Sequence, residues 1–539
     1  YVAPGRLRVF VNHLLCIALV LAPRAMAESS ASAPSAAAVA QGRDPLIRFN
    51  AWLKRAREGR EVIDQRSIGA LRLEVGDART LWSIDPMRAS DIATSLLDLL
   101  GLTLAAYDPA SEEPEGALAE ARKLAADALQ AHTDASLRDW MARQVLARPS
   151  QPVERRIAAA WISIGTHAKE LELALLTCTR DADHRLVRTA LEALAGWDDE
   201  AVHALFLDEL TKSIAGRASA YGWIAEQHFR TAHIEAGSRA MSRLAEIVKA
   251  RLASTDWRTV SQAVALSKPL EHNAIVPFLI EAMATWKKRA DTGGQALRIE
   301  MEILRALEVR SGRKLGLDPE AWRAWWTAVE KGEVRGQTPF TTGGGPEPTR
   351  ASFFGLKPAT DRVTFVLDKS GSMDTAFGPQ PAGTHMKKHT RWDEAVAQLS
   401  GFVEAIGDSA RFNVVIFHDY AEVWRPTLVD AGAENRKAAR DWLLAHHPGG
   451  STELRSGIDR ALMIDKSGAV DLVLLEADTV IVLCDGATDE GSQWVVPFMK
   501  RVNASARVVF DCVEIGNEGD GTLPKLARES GGEYVRIDG

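Results

Sequence analysis

Four short apolar runs near the C-terminal end, residues 363–367, 412–417, 480–484 and 508–515, constrain the fold of this chain more than any other feature. Runs this short with no polar alternation are the mark of strands buried on both faces. Helical patterns at 392–406 and 436–445 alternate with them, 524–530 supplies a last helical turn or two, and 532–537 reads as a closing edge strand. This alternation predicts a doubly wound parallel α/β sheet with helices on both faces, and ligands outside the carboxyl ends of the strands. Asp368 and Asp485 both fall at such ends.

Asp368-Lys-Ser370-Gly-Ser372-Met follows the first run directly and puts one carboxylate and two hydroxyls on a turn. Mg²⁺ and Mn²⁺ prefer oxygen ligands in octahedral geometry, so this trio suits a hard divalent cation. Ser370 and Ser372 would bind the ion directly, and Asp368 directly or through a water. A shell made mostly of neutral hydroxyls leaves the ion under-neutralised, which makes an outside carboxylate a welcome extra ligand.

Two further segments join the first. Gly449-Gly450-Ser451-Thr452-Glu453-Leu454 precedes a helical pattern at 456–462, and the run 480–484 ends in Asp485-Gly486. With these three loops the chain resembles the von Willebrand factor A family over residues 350–539. The resemblance implies a metal-ion-dependent adhesion site made of Asp368, Ser370, Ser372, Thr452 and Asp485. It further implies that the serines and the threonine touch the metal, Mg²⁺ or else Mn²⁺ or Ca²⁺, while the aspartates act through water or as acceptors behind it. Ser451 and Thr452 are neighbouring hydroxyls and either could face the ion; Thr452 is favoured because it sits between the two glycines and the helix. Residues 374–390, rich in Gly, Pro, His and Lys, read as a solvated insertion. His385 and His389 lie four apart, but Pro379 and Pro381 give no helix to align them as a second metal site.

The remainder has ordinary globular composition, 46% hydrophobic and 25% charged over 539 residues, with room for two or three cores. A net charge of -7 argues against nucleic acid as a partner. Arg6 and Arg8, the apolar stretch 14–22 and Ala25-Met26-Ala27 predict a signal peptide over 1–27 and an exported protein, with an uncleaved anchor as the alternative. Leu14-Leu15 before Cys16 argues against a lipid anchor. With Tyr1 in place of Met, the natural start is expected to lie elsewhere or to use an alternative codon. No other segment is apolar enough to span a bilayer. Cys178, Cys484 and Cys512 are expected as buried free thiols, a bond between the last two being the alternative.

An Ala, Ser and Pro tract over 28–45 reads as a linker. From 46 to 335 apolar residues recur at helical spacing. Residues 153–164 with 170–176, and 186–194 with 201–210, form similar helix pairs, and 260–266 with 274–283 continue the series. These pairs resemble HEAT-like repeats, which bury their apolar faces only by stacking into a solenoid; a simple helical array is the alternative. Asp318-Pro319 starts a helix whose Trp322, Trp325 and Trp326 share one face, expected to cap that array by core packing. Residues 336–357 then link it to an α/β domain over 358–539.

Together these readings predict an exported, non-enzymatic adhesion or scaffolding protein that grips an Asp or Glu carboxylate of a protein partner through its metal. An adaptor subunit for an ATPase or complex assembly is the alternative. A metal-dependent hydrolase finds no support, because neither a His-Glu-x-x-His helix nor a Gly-x-Ser-x-Gly elbow is present.

Overall fold

The computed structural model describes residues 44–538 except 106–115, 213–220, 292–295, 335–349, 379–387, 466–467, 469, 487 and 490. The expected signal peptide, His385 and most of both expected linkers lie outside the described residues.

Each apolar run becomes a strand: β1 Arg362–Asp368, β2 Arg411–Phe417, β5 Thr479–Cys484 and β6 Val509–Ile515. Two very short strands, β3 Ala421–Val423 and β4 Val429–Asp430, fall between β2 and β5, and β7 Tyr534–Ile537 closes the edge. The sheet order is β3-β2-β1-β5-β6-β7, with β4 also beside β2. Strands β2, β1, β5, β6 and β7 run parallel. The expectation of a parallel sheet needs one correction: β3 and β4 pair antiparallel to β2, making the sheet mixed. At three and two residues they are too short for any period to show in sequence.

Alternate side chains of each strand serve opposite faces, both buried, which is why the runs show no apolar–polar alternation. Val366, Val415, Val482 and Cys484 enter one core with the helices Leu454–Ala461 and Thr522–Ser530. Phe365, Leu367, Ile416 and Leu483 enter the other, beneath the helices Arg391–Ala405 and Ala433–Leu444. Phe353, assigned by sequence to the connecting segment, is fully buried in this second core, its ring 5.5 Å from that of Phe365. In packing terms the α/β part therefore begins by Phe353.

The chain leaves β1 toward β2 on one side, and β5 returns to pair with β1 on the other. The crevice between the carboxyl ends of β1 and β5 is the topological switch point, where open α/β sheets bind ligands. Asp368 ends β1, and Asp485 follows β5.

The N-terminal part is all helical. The expected pairs appear as Val153–Ile162 with Lys169–Cys178, His184–Leu194 with Glu200–Lys212, and Trp257–Leu266 with His272–Asp291. Most helices pack against the next but one as well as the next, and one apolar core runs continuously from Leu46 to Trp326. That is how a stacked array buries faces no single pair can cover. The helix Pro319–Glu330 ends it, with the Asp318 side chain capping its start and all three tryptophans buried.

The array grips the amino edge of the sheet. Arg258 donates to the carbonyls of Ala506 at 3.1 Å and Leu475 at 2.6 Å, and Arg298 donates to that of Asp478. Arg507 returns the contact by pairing with Glu226 at 2.6 Å. These residues precede β5 and β6, so the docking edge lies opposite Asp368 and Asp485.

Among the described residues, no helix is long and apolar enough to cross a membrane. Cys178, Cys484 and Cys512 are free and buried. Cys512 is paired in register with Val482, leaving Cys484 opposite Glu514.

Candidate metal centre

Sheet register brings the first and third loops together. Asp368 is fully buried at the end of β1, and its Oδ1 accepts the Ser370 N–H at 2.7 Å, folding the chain back on itself. A short turn over Gly371–Asp374 follows, anchored by the buried Met373. The two serine hydroxyls then lie 2.9 Å apart, and Ser372 donates to Asp485 Oδ1 at 2.7 Å. A hydroxyl has one proton. With that of Ser372 spent on Asp485, Ser370 must donate to Ser372, and the hydrogen bonds run one way into the carboxylate.

The other oxygens of the two acids are held from behind. Asp368 Oδ2 accepts from the Cys484 thiol at 3.0 Å, and Asp485 Oδ2 accepts from Arg391 at 2.8 Å. Burial, together with the nearby Asp485 charge, pushes the Asp368 pKa up to about 6. Two carboxylates so placed repel, and an added cation relieves this.

The second loop is tied to the first through backbone. Gly371 N–H donates to the Gly450 carbonyl at 3.2 Å, and Gly449 N–H to that of Lys369 at 2.8 Å. Gly450 has φ +90°, and a Cβ there would meet His418 Nδ1 at 2.8 Å, so only glycine fits. Ser451 is committed elsewhere: its N–H and its hydroxyl both donate to Asp419 Oδ1 at 2.7 Å. Thr452 N–H donates to Asp489 Oδ2 at 3.2 Å. Thus Asp368, Ser370, Ser372 and Asp485 form one bonded set. Thr452 reaches the same edge through its loop, with no side-chain bond to that set among the described residues.

The donors suit a hard cation. Ser370 and Ser372 keep unshared lone pairs, and two carboxylates lie directly behind them, an all-oxygen set of the kind Mg²⁺ takes. Among the described residues, no group of three or more His, Cys, Asp or Glu side chains is arranged to hold a metal. His389 pairs with Glu394 at 3.0 Å.

Arg391 escapes the sequence reading. It is the first residue of the helix Arg391–Ala405, whose start is fixed by a reciprocal capping box between Thr390 and Asp393. The Thr-x-x-Asp spacing was the available signal for where that helix begins, though nothing in it reveals that Arg391 reaches Asp485.

Residues 382–536 match the family model for the von Willebrand factor type A domain, and the C-terminal part of the chain carries that domain. Inter-alpha-trypsin inhibitor heavy chain H1 of Mesocricetus auratus is 29% identical over 195 residues, 35% of this chain and 20% of that protein. Heavy chain H4 of Homo sapiens is 28% identical over 188 residues, 34% of this chain and 19% of that one. The chain thus spans only about a fifth of the length of these curated relatives. Among solved structures, a von Willebrand factor type A protein from Catenulispora acidiphila is 21% identical, covering 34% of this chain and 40% of that one, with a TM-score of 0.27.

Proposed function

We propose that the carboxyl edge of the sheet holds a divalent cation, Mg²⁺ in the first instance, and uses it to capture an Asp or Glu side chain of a protein partner outside the cytoplasm. Ser370, Ser372 and Thr452 would contact the ion, while Asp368 and Asp485 would act through water or from behind. When bound, the ion supplies a positive point that attracts the partner's carboxylate. The chain's residues orient that point and keep it under-neutralised. No bond is made or broken, so the reading is adhesion or scaffolding without catalysis. The helical array, docked on the opposite edge, would offer a second surface. The observation supporting this most directly is the one-way bonded set of Ser370, Ser372 and Asp485 at the switch point.

Titration of the full chain with Mg²⁺, Mn²⁺ or Ca²⁺, followed by thermal melting, tests the metal. Stabilisation of about 2.7 kcal/mol is expected at an ion concentration about 100-fold above Kd, and its loss in Ser370→Ala. An identical metal response in Ser370→Ala would remove the site. Capture of a partner from envelope extracts, with and without EDTA, tests the use of the metal; capture indifferent to EDTA would refute it.

A further inference from the structure

At the docking edge, the array and the α/β part line an open cleft of about 980 Å³. Small-molecule sites typically span about 300–1,000 Å³. Its walls come from the helices Trp257–Leu266 and Leu297–Ser311 on one side, and from the start of β6 and the end of the helix Thr522–Ser530 on the other.

Six cationic side chains line this cavity, Arg230, Lys268, Arg298, Arg305, Arg310 and Arg507, against the carboxylates Glu302 and Glu529. The acids are already committed. Glu302 pairs with Arg298 at 2.9 Å and Glu529 with Arg528 at 3.2 Å, while Arg507 is met by Glu226 at 2.6 Å. Arg230, Lys268 and Arg310 have no carboxylate partner among the described residues, while Arg305 lies within electrostatic reach of the buried Asp511. Arg310 gives its donors to the carbonyls of Ser267 and Leu270, and burial lowers its pKa with no acid to offset it. Arg230, Lys268 and Arg305 are exposed, and the side chains of Arg230 and Lys268 make no hydrogen bond or ion pair among the described residues.

Three positive charges without an acid around one cleft are unexpected in a chain of net charge -7. Such a concave cluster of one sign focuses potential and gathers anions, and guanidinium forks match carboxylate and phosphate oxygens. We propose that this cavity is a binding site for a small polyanion bearing two or more phosphate or carboxylate groups. The ligand would bridge the array to the α/β part.

Calorimetric titration of the full chain with pyrophosphate and, separately, with citrate tests this, against NaCl at matched ionic strength. The chain is first stripped of metal on a chelating resin and titrated in metal-free buffer, so that the candidate metal loops contribute nothing and no soluble chelator competes for the cavity. Saturable binding of either anion is expected, and the responding anion identifies phosphate or carboxylate as the recognised group. Lys268→Ala with Arg305→Ala, both on exposed positions, should weaken it about tenfold or more. The control pair Arg60→Ala with Arg143→Ala, exposed cations remote from the cavity lining, should leave it unchanged. Heat no greater than that of NaCl with both anions, or equal affinity in the Lys268 and Arg305 double variant, would overturn the proposal.

Discussion

Asp485 is held from two sides, by the Ser372 hydroxyl at 2.7 Å and by Arg391 at 2.8 Å. Arg391 is mostly buried, so it neutralises Asp485 in a setting where an unpaired charge is expensive. Arg391→Met should therefore cost about 3 kcal/mol in metal-free protein by urea unfolding. Mg²⁺ should recover more of that loss than it adds to wild type, because the ion then supplies the missing countercharge. A second acid is informative at pH extremes. Asp511, on β6, has its carboxyl pushed up from 3.8 to about 6, chiefly by burial. Between those values the folded protein keeps a proton that the unfolded chain releases, so this group's contribution is full below about pH 4 and is lost as pH rises through about 6. Asp511→Asn keeps an oxygen for the Glu533 N–H, which Asp511 Oδ1 accepts at 2.7 Å. It should flatten stability against pH over that window, by up to about 3 kcal/mol, read from urea unfolding at pH 4 and pH 7. None of this was legible in the residue pattern. Asp511 reads as part of an apolar strand, and Arg391 falls just before the helical pattern at 392–406.

The elements that carry the loops are set by close packing. The helix Leu454–Ala461 follows the second loop and lies against β1 and β2 through Gly457, where a Cβ would meet Val366 at 2.9 Å and Phe417 at 3.1 Å. A side chain there must push the helix off the sheet and carry the Thr452 loop with it. Gly457→Val should cost about 1–3 kcal/mol by thermal melting and weaken Mg²⁺ binding more than Gly457→Ala does. The strands and their order of appearance were legible because buried strands have a plain signature, as β1, β2, β5 and β6 do. The edge strands β3 and β4 were not, since two or three residues hold no period. The spacing of glycines around Ser451 and Thr452 marked a loop. Which hydroxyl stays uncommitted was decided by Asp419, which lies far from Ser451 in sequence and takes both of its donors.

In the whole molecule, arginines of the array satisfy backbone carbonyls at the amino edge of the sheet. Removing Arg258 takes the side-chain donor from the Ala506 and Leu475 carbonyls, at about 1–3 kcal/mol each, whereas the Asp478 carbonyl that Arg298 bonds still accepts the Val509 N–H at 3.1 Å. Arg258→Met with Arg298→Met should separate the melting of the array from that of the α/β part, so that calorimetry resolves two transitions further apart than in wild type. The proposed metal loops at the opposite edge should keep the wild-type response to Mg²⁺ in that variant.

The sequence by itself determined the long buried strands, the array of helix pairs and the three loops, because each rests on local periodicity or on residues a few positions apart. Only the tertiary structure decided the rest. The antiparallel edge of the sheet, the Arg391 pairing behind Asp485, the commitment of Ser451 to Asp419 and the cationic cavity at the docking edge all join residues remote in the chain. Such contacts follow from register and packing, which no window of sequence contains.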